Sequence, residues 1–113
     1  MNDDIETIHQ ALIEFRNDRD WEQFHDSKNL AIALSIEAAE LNQLFLWKGA
    51  DEVASVPIER IKEELADIFS YAFLLAIKHN LDVKEIVLEK IQKNSHKYPI
   101  SKAKGRADKY NEL

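Results

Sequence analysis

Apolar residues recur at spacings of three and four along most of the chain, with polar residues between them. This periodicity is typical of amphipathic α-helices, in which such positions share one face. It predicts four helices, over residues 4–18, 26–48, 55–79 and 82–98. Only a polar and aromatic loop at 19–25 and short connections separate them, so the pattern indicates an all-α protein.

Turn-forming residues support these boundaries. Gly49 can close the second helix, which we expect to end at Trp47 or Lys48. Pro57 suits the first turn of the third helix, and Pro99 ends the fourth because the residue before a proline disfavours helix. Residues 99–113 then form a polar tail.

Length and helix count together predict the architecture. A chain of 113 residues fits a single domain, here spanning 1–113, and four helices with short connections fit a four-helix bundle-like fold. The helices are rich in Leu and Phe for so small a core. We therefore expect homo-oligomerisation, with a second chain completing the core.

Composition excludes several classes of function. The absence of cysteine excludes disulfides, zinc–thiolate sites and thiol catalysis. The acidic start lacks a signal-peptide layout and no apolar run reaches the roughly 20 residues of a membrane span, so we expect a cytoplasmic protein without a membrane partner. A net charge of −6 argues against nucleic-acid binding, although residues 84–113 are basic.

Two pairs of carboxylates carry the strongest chemical signal. Glu37 and Glu40 lie three residues apart on the second predicted helix, and Glu64 and Asp67 have the same spacing on the third. Residues three apart share a helix face, and here each pair lies among apolar neighbours. A buried carboxylate needs a cationic partner, and oxygen ligands from facing helices suit Mg²⁺. The spacing alone leaves a solvated acidic face as the alternative.

Other sites fit the sequence less well. A di-iron bundle needs Glu-x-x-His on two helices, whereas this spacing occurs once, at Glu22 and His25, in the loop before the second helix. No EF-hand loop for Ca²⁺ is present. Trp21 and Trp47 flank the ends of the second helix and either fill the core or stack on a flat ring such as a nucleobase.

Taken together, these motifs resemble a known family. The segments that carry the resemblance are Arg19-Asp20-Trp21-Glu22-Gln23-Phe24-His25, the two acidic pairs, Leu44-Phe45-Leu46-Trp47-Lys48, Lys90 with Asn94, Lys97-Tyr98-Pro99 and Lys109-Tyr110. The chain resembles the MazG-like nucleotide pyrophosphohydrolases of the all-alpha NTP pyrophosphatase superfamily, most of all their small dCTP pyrophosphatase branch. Two positions depart from the family pattern: Ile36 precedes the first conserved Glu, and Ser95 follows Asn94 where related chains can carry Arg.

The resemblance implies a role for each motif. Metal ligands and catalytic residues would be the carboxylates Glu37, Glu40, Glu64 and Asp67. Phosphate contacts would come from Lys90, Asn94, Lys97 and Tyr98. Contacts to the base would come from Trp21, His25, Trp47 and Tyr71.

The expected protein is a Mg²⁺-dependent nucleoside triphosphate pyrophosphohydrolase, with Mn²⁺ as a substitute metal. It would cleave a (d)NTP, either dCTP-like or non-canonical, to the monophosphate and pyrophosphate, as a homodimer or homotetramer. The alternatives are a nucleotide-binding module without catalysis and an oligomeric helical scaffold.

Overall fold

The structure, a computed structural model, describes residues 3–113, and its regular elements in this range are all helical. Five α-helices follow one another within these described residues, with three single 3₁₀ turns at Glu22–Phe24, Val53–Ser55 and Tyr110–Glu112. The helices are α1 (Asp4–Asp18), α2 (Ser27–Gln43), α3 (Ile58–Lys78), α4 (Val83–Lys97) and α5 (Ile100–Ala103). The predicted all-α class is confirmed, and the four predicted helices are the four long ones.

Aspartates begin three of the long helices. The carboxylate of Asp3 accepts hydrogen bonds from the backbone N–H groups of Ile5 and Glu6 at the start of α1. Asp26 accepts from Asn29 N–H at 2.7 Å, and Asp82 accepts from Glu85 N–H at 2.9 Å. Each bond satisfies a donor that a helix start otherwise leaves unpaired, so these boundaries follow directly from local sequence.

The predicted end of α2 is wrong by about four residues. The helix ends at Gln43 and tightens into turns in which Leu46 N–H donates to the Gln43 carbonyl. Trp47 then takes a left-handed backbone, with φ of 62°. A residue in this region cannot continue a right-handed helix, so Trp47, and not Gly49, redirects the chain. The start of α3 also differs, because Pro57 is its N-cap and Ser55 lies in the preceding 3₁₀ turn.

The structure divides into two compact units, the first of which ends at Asn80. Within this unit α2 packs along α3, and α1 also contacts α3. Ser27 at the start of α2 shares a 2.8 Å hydrogen bond with His79 just after α3, so the two helices run antiparallel. Leu30, Leu44, Val56, Leu74 and Ala76 form the buried core, and all five belong to this unit.

The second unit, Leu81–Leu113, folds its end back on α4. The Tyr110 ring lies edge-on against Tyr98, with 6.1 Å between ring centroids, and the Lys97 ammonium lies 4.9 Å from the same ring. The tail predicted as merely polar therefore contains α5 and an aromatic contact. The single domain over 1–113 stays a prediction.

Large apolar side chains remain exposed in both units. On α2 and α3 they include Ile32, Ile36, Leu65 and Phe69, and on α4 they include Val87, Leu88 and Ile91. Within residues 3–113, every helix is too short or too polar to cross a bilayer.

Candidate active site

Three of the four predicted carboxylates converge between α2 and α3. Glu37 and Glu40 on α2 and Glu64 on α3 each offer one oxygen, and these oxygens lie within 4.8 Å of one another. The antiparallel packing of α2 on α3 produces this arrangement, because Glu37 and Glu40 share one face of α2 and the packing brings Glu64 of α3 next to them. Asp67 is not a member of this cluster, and the metal-binding role of the four carboxylates stays a prediction.

The surroundings of the cluster disfavour the charged form of its carboxylates. Burial, the nearby Glu40 carboxylate, and the charges of Asp67 and Glu64 raise the pKa of Glu37 from 4.5 to about 7. Burial and Glu40 likewise raise the pKa of Glu64. Both shifts have the same two causes. Burial removes water that would stabilise the charged form, and each carboxylate disfavours the charged form of its neighbour.

Two carboxylate oxygens of the cluster lack hydrogen-bond partners among the described residues. Oε2 of Glu37 and Oε2 of Glu64 are buried, and neither has a hydrogen-bond donor among residues 3–113. A divalent cation would meet both and cancel the repulsion. Because the donors are all carboxylate oxygens, the residues fit a hard ion such as Mg²⁺ or Mn²⁺ and not a thiolate-bound metal.

The fourth carboxylate connects this cluster to a cavity. Asp67 lies on α3 one turn after Glu64, and its charge contributes to the raised pKa of Glu37. Asp67 also lines a cavity of about 360 Å³, which we call the base cavity. The residues that line the base cavity are Leu12, Phe15, Arg16, Trp21, His25, Asp67, Ser70, Tyr71 and Leu74. Its size and its mixture of aromatic faces with a few polar groups are typical of a small-molecule site.

His25 contributes a neutral polar group to the base cavity. Its Nδ1 atom is buried without a hydrogen-bond partner among the described residues. Burial, and secondarily the charge of Arg16, lowers the pKa of His25 below 6.5. At neutral pH the imidazole is thus uncharged and suited to hydrogen bonding with an uncharged ring.

The predicted base contacts are only partly brought together. Trp21, His25 and Tyr71 all line the base cavity, whereas Trp47 does not and leaves 90% of its surface exposed. The proposed role of Trp47 therefore stays a prediction. Trp21 is further held by an edge-on contact with Phe15, with ring centroids 5.8 Å apart.

The predicted phosphate contacts all lie in the second unit. Lys90 and Asn94 are one turn apart on α4, Lys97 is the last residue of that helix, and Tyr98 is its C-cap. Tyr98 N–H donates to the Asn94 carbonyl at 2.8 Å. Their contact with phosphate stays a prediction.

Sequence analysis missed several residues of the base cavity, among them Arg16 and Ser70. A signal for Arg16 was present, because it lies four residues after Leu12 and so on the apolar face of α1. Ser70 lies three residues after Asp67 and could have been found in the same way.

Comparison with known proteins agrees with this geometry. dCTP pyrophosphatase 1 of Mus musculus is 40% identical over 96% of this chain and 67% of that protein, and the Homo sapiens protein shows the same values. A solved pyrophosphatase from Archaeoglobus fulgidus superposes with a TM-score of 0.83 at 36% identity, over 88% of this chain and 95% of that one. The profile of the MazG-like family matches residues 32–113, a range that contains all four carboxylates. As its motifs predict, the chain belongs to the MazG-like family.

Proposed function

We propose that this protein is a Mg²⁺-dependent nucleoside triphosphate pyrophosphohydrolase that releases pyrophosphate and a nucleoside monophosphate. The observation that carries the proposal is the convergence of Glu37, Glu40 and Glu64, with two buried oxygens that lack partners. The relatives named dCTP pyrophosphatase support a hydrolase that acts on nucleoside triphosphates. They also favour dCTP or a similar deoxynucleotide as the substrate.

The four carboxylates, Glu37, Glu40, Glu64 and Asp67, would hold the divalent ion. When bound, that ion supplies neutralisation of the triphosphate charge and activation of water. Mn²⁺ would substitute for Mg²⁺, because it accepts the same oxygen ligands.

The remaining residues would bind and orient the nucleotide. Trp21 and Tyr71 would offer their rings to the base in the base cavity, and His25 would hydrogen-bond its edge. Since Asp67 lines the same cavity, a base held there would place its triphosphate towards the carboxylates. Lys90 and Lys97 would offset the negative charge of the leaving pyrophosphate, with Asn94 and Tyr98 as neutral contacts.

Pyrophosphate release tests the reaction. Purified protein is incubated with a panel of canonical and modified deoxynucleoside triphosphates and Mg²⁺, with EDTA as the metal-free control. We expect equal amounts of monophosphate and pyrophosphate, with none in EDTA. Release of orthophosphate alone would contradict cleavage between the α- and β-phosphates.

Matched variants test the assignment of the carboxylates. Glu40→Gln and Asp67→Asn should abolish turnover and leave the helix content by circular dichroism unchanged. Glu59→Gln is the control, because Glu59 lies outside the cluster and forms an exposed ion pair with Lys62 at 3.3 Å. Near-normal rates in both site variants would rule out the assignment.

The second candidate function is a nucleotide-binding module without catalysis, which the base cavity alone would support. A thermal shift caused by nucleotide in the absence of turnover would favour it. We also propose a role in the removal of non-canonical or excess deoxynucleotides, which the family suggests. A substrate panel that includes non-canonical nucleotides tests it.

We further propose a homodimer or homotetramer without nucleic acid as a partner. Exposed Phe69 and Leu65 on α3 and Ile36 on α2 support it, because surfaces of this kind are commonly covered by another chain. Light scattering should give at least twice the mass of one chain, and Phe69→Glu should lower it. A monomeric wild-type protein would contradict this proposal. The cytoplasmic location expected from the sequence stays a prediction.

A further inference from the structure

Arg16 is a charged side chain enclosed at the base cavity. Only 13% of its side chain is exposed, and it lines both the base cavity and a neighbouring cavity of about 310 Å³. His25, Leu30, Leu74 and Glu22 also line the second cavity. An arginine this enclosed costs free energy unless its donors find acceptors.

The partners of Arg16 in the structure account for only part of its guanidinium. Its Nε–H donates to Oδ1 of Asn17 at 3.1 Å, and one terminal nitrogen lies 3.5 Å from Oε2 of Glu22. A guanidinium carries five N–H donors and no acceptor. Within residues 3–113, its other N–H donors have no hydrogen-bond acceptor. Asn17 and Glu22 therefore hold the side chain of Arg16 in place and leave N–H groups available to a ligand.

The base cavity, which Arg16 lines, suits an uncharged, flat ligand. The aromatic rings of Phe15, Trp21 and Tyr71 form much of its lining, and the buried Nδ1 of His25 also lacks a partner among the described residues. A nucleobase offers a flat ring for the aromatic faces and acceptor atoms on its edge for the donors.

We propose that Arg16 is a specificity-determining residue whose guanidinium donates to a carbonyl oxygen on the edge of the bound nucleobase. This inference rests on the proposed function, since it takes the base cavity as the site of the nucleotide's base. It assigns Arg16 to the base and not to the triphosphate, although an arginine can bind either. Asn17 and Glu22 fix the orientation in which the guanidinium reads that edge.

A substrate without a base separates these two roles of Arg16. The experiment measures kcat/KM of the wild type and of Arg16→Met with dCTP and with 2-deoxyribose 5-triphosphate, which keeps the sugar and the phosphates. For dCTP we expect a loss of about 10- to 100-fold, the range for a hydrogen bond to a charged group. Most of it should be a rise in KM, because the base lies away from the reacting phosphorus. For the baseless substrate, the variant should match the wild type within about twofold, because the lost interaction is absent from that reaction.

Two further variants keep the result interpretable. Arg16→Lys retains the charge and the aliphatic stem, so it should fold even if Arg16→Met does not. Because it lacks the planar fork of the guanidinium, it should lose part of the preference for dCTP over the baseless substrate. Arg60→Met is the control for removal of a positive charge, because Arg60 is exposed in the first turn of α3. An equal loss on both substrates in the Arg16 variants would overturn the proposal in favour of a phosphate contact. Unchanged kinetics with dCTP would also overturn it.

Binding of the product distinguishes failure of this inference from failure of the proposed function. The affinity for dCMP, measured by tryptophan fluorescence, requires no turnover. If the wild type hydrolyses no triphosphate but binds dCMP more tightly than Arg16→Met does, the proposed reaction fails and the role of Arg16 stands. If the wild type hydrolyses dCTP and both proteins bind dCMP equally, the role of Arg16 is refuted and the reaction stands.

Discussion

Replacement of Glu37 by Gln should stabilise the metal-free protein at pH 8 and weaken its response to Mg²⁺. The shift in the pKa of Glu37 from 4.5 to about 7 corresponds to at most about 3 kcal/mol, at 1.36 kcal/mol per unit. Because part of the side chain contacts water, screening reduces this to about 1 kcal/mol. Glutamine keeps the shape and removes the charge. We expect a rise in Tm of roughly 4 °C at pH 8 in EDTA, given the size of the chain.

The sign of the pH dependence follows from the direction of the shift. Folding favours the protonated form of Glu37, so its contribution to stability is fully present below 4.5 and is lost as pH rises through about 7. The difference in stability between Glu37→Gln and the wild type should therefore grow from pH 6 to pH 8. Taking the difference cancels the titration of groups outside the carboxylate cluster.

Thermal and urea unfolding at pH 6 and pH 8, each in EDTA and in Mg²⁺, measures this effect. Mg²⁺ should stabilise the wild type at pH 8 by binding the folded state, and should stabilise Glu37→Gln less. Glu59→Gln is the control, because Glu59 is exposed and lies outside the cluster. The reasoning is refuted if Glu37→Gln is less stable than the wild type at pH 8 without metal, or if both respond equally to Mg²⁺.

Three other predictions concern single residues. Leu30→Ala should lower the free energy of unfolding by about 2 to 5 kcal/mol in urea titrations, because Leu30 is only 2% exposed, and a loss below about 1 kcal/mol would contradict its place in the core. If Lys97 contacts the triphosphate as proposed, Tyr110→Leu should raise KM and Tyr110→Phe should not, because only the second variant keeps the aromatic ring that attracts Lys97; equal kinetics of the two variants would count against this. The His25 imidazole should titrate below pH 6.5 in NMR spectra, because burial and then Arg16 lower its pKa, so its contribution to stability is lost as pH falls below 6.5; a midpoint at or above 6.5 would contradict this.

Helix starts and helix bounds that depend on neighbouring residues could be predicted from the sequence. The bounds of α1 and the caps at Asp26 and Asp82 follow from apolar spacing and short side-chain bonds. The meeting of Glu37 with Glu64 needed one more step, the antiparallel packing of α2 on α3.

What sequence reasoning missed depends on contacts between distant segments or on backbone conformation. The apolar run at residues 44–47 looks helical, yet i to i−3 bonds and the left-handed Trp47 end α2 before it. Arg16 was not identified from the sequence, because its enclosure depends on the loop that carries Glu22 and His25. The contact of Tyr110 with Tyr98 required the chain to reverse after α5, and no periodicity reports such a reversal.

Trp47 combines a left-handed backbone with an exposed indole, and neither feature favours thermal stability. A left-handed conformation costs a residue with a side chain about 1 to 2 kcal/mol, and glycine adopts it without that penalty. Its indole, almost wholly in water, gains little from the rest of its own chain in return. Trp47→Gly should therefore raise the thermal stability of the protein. Any activity or binding that this more stable variant loses would show what the indole ring contributes.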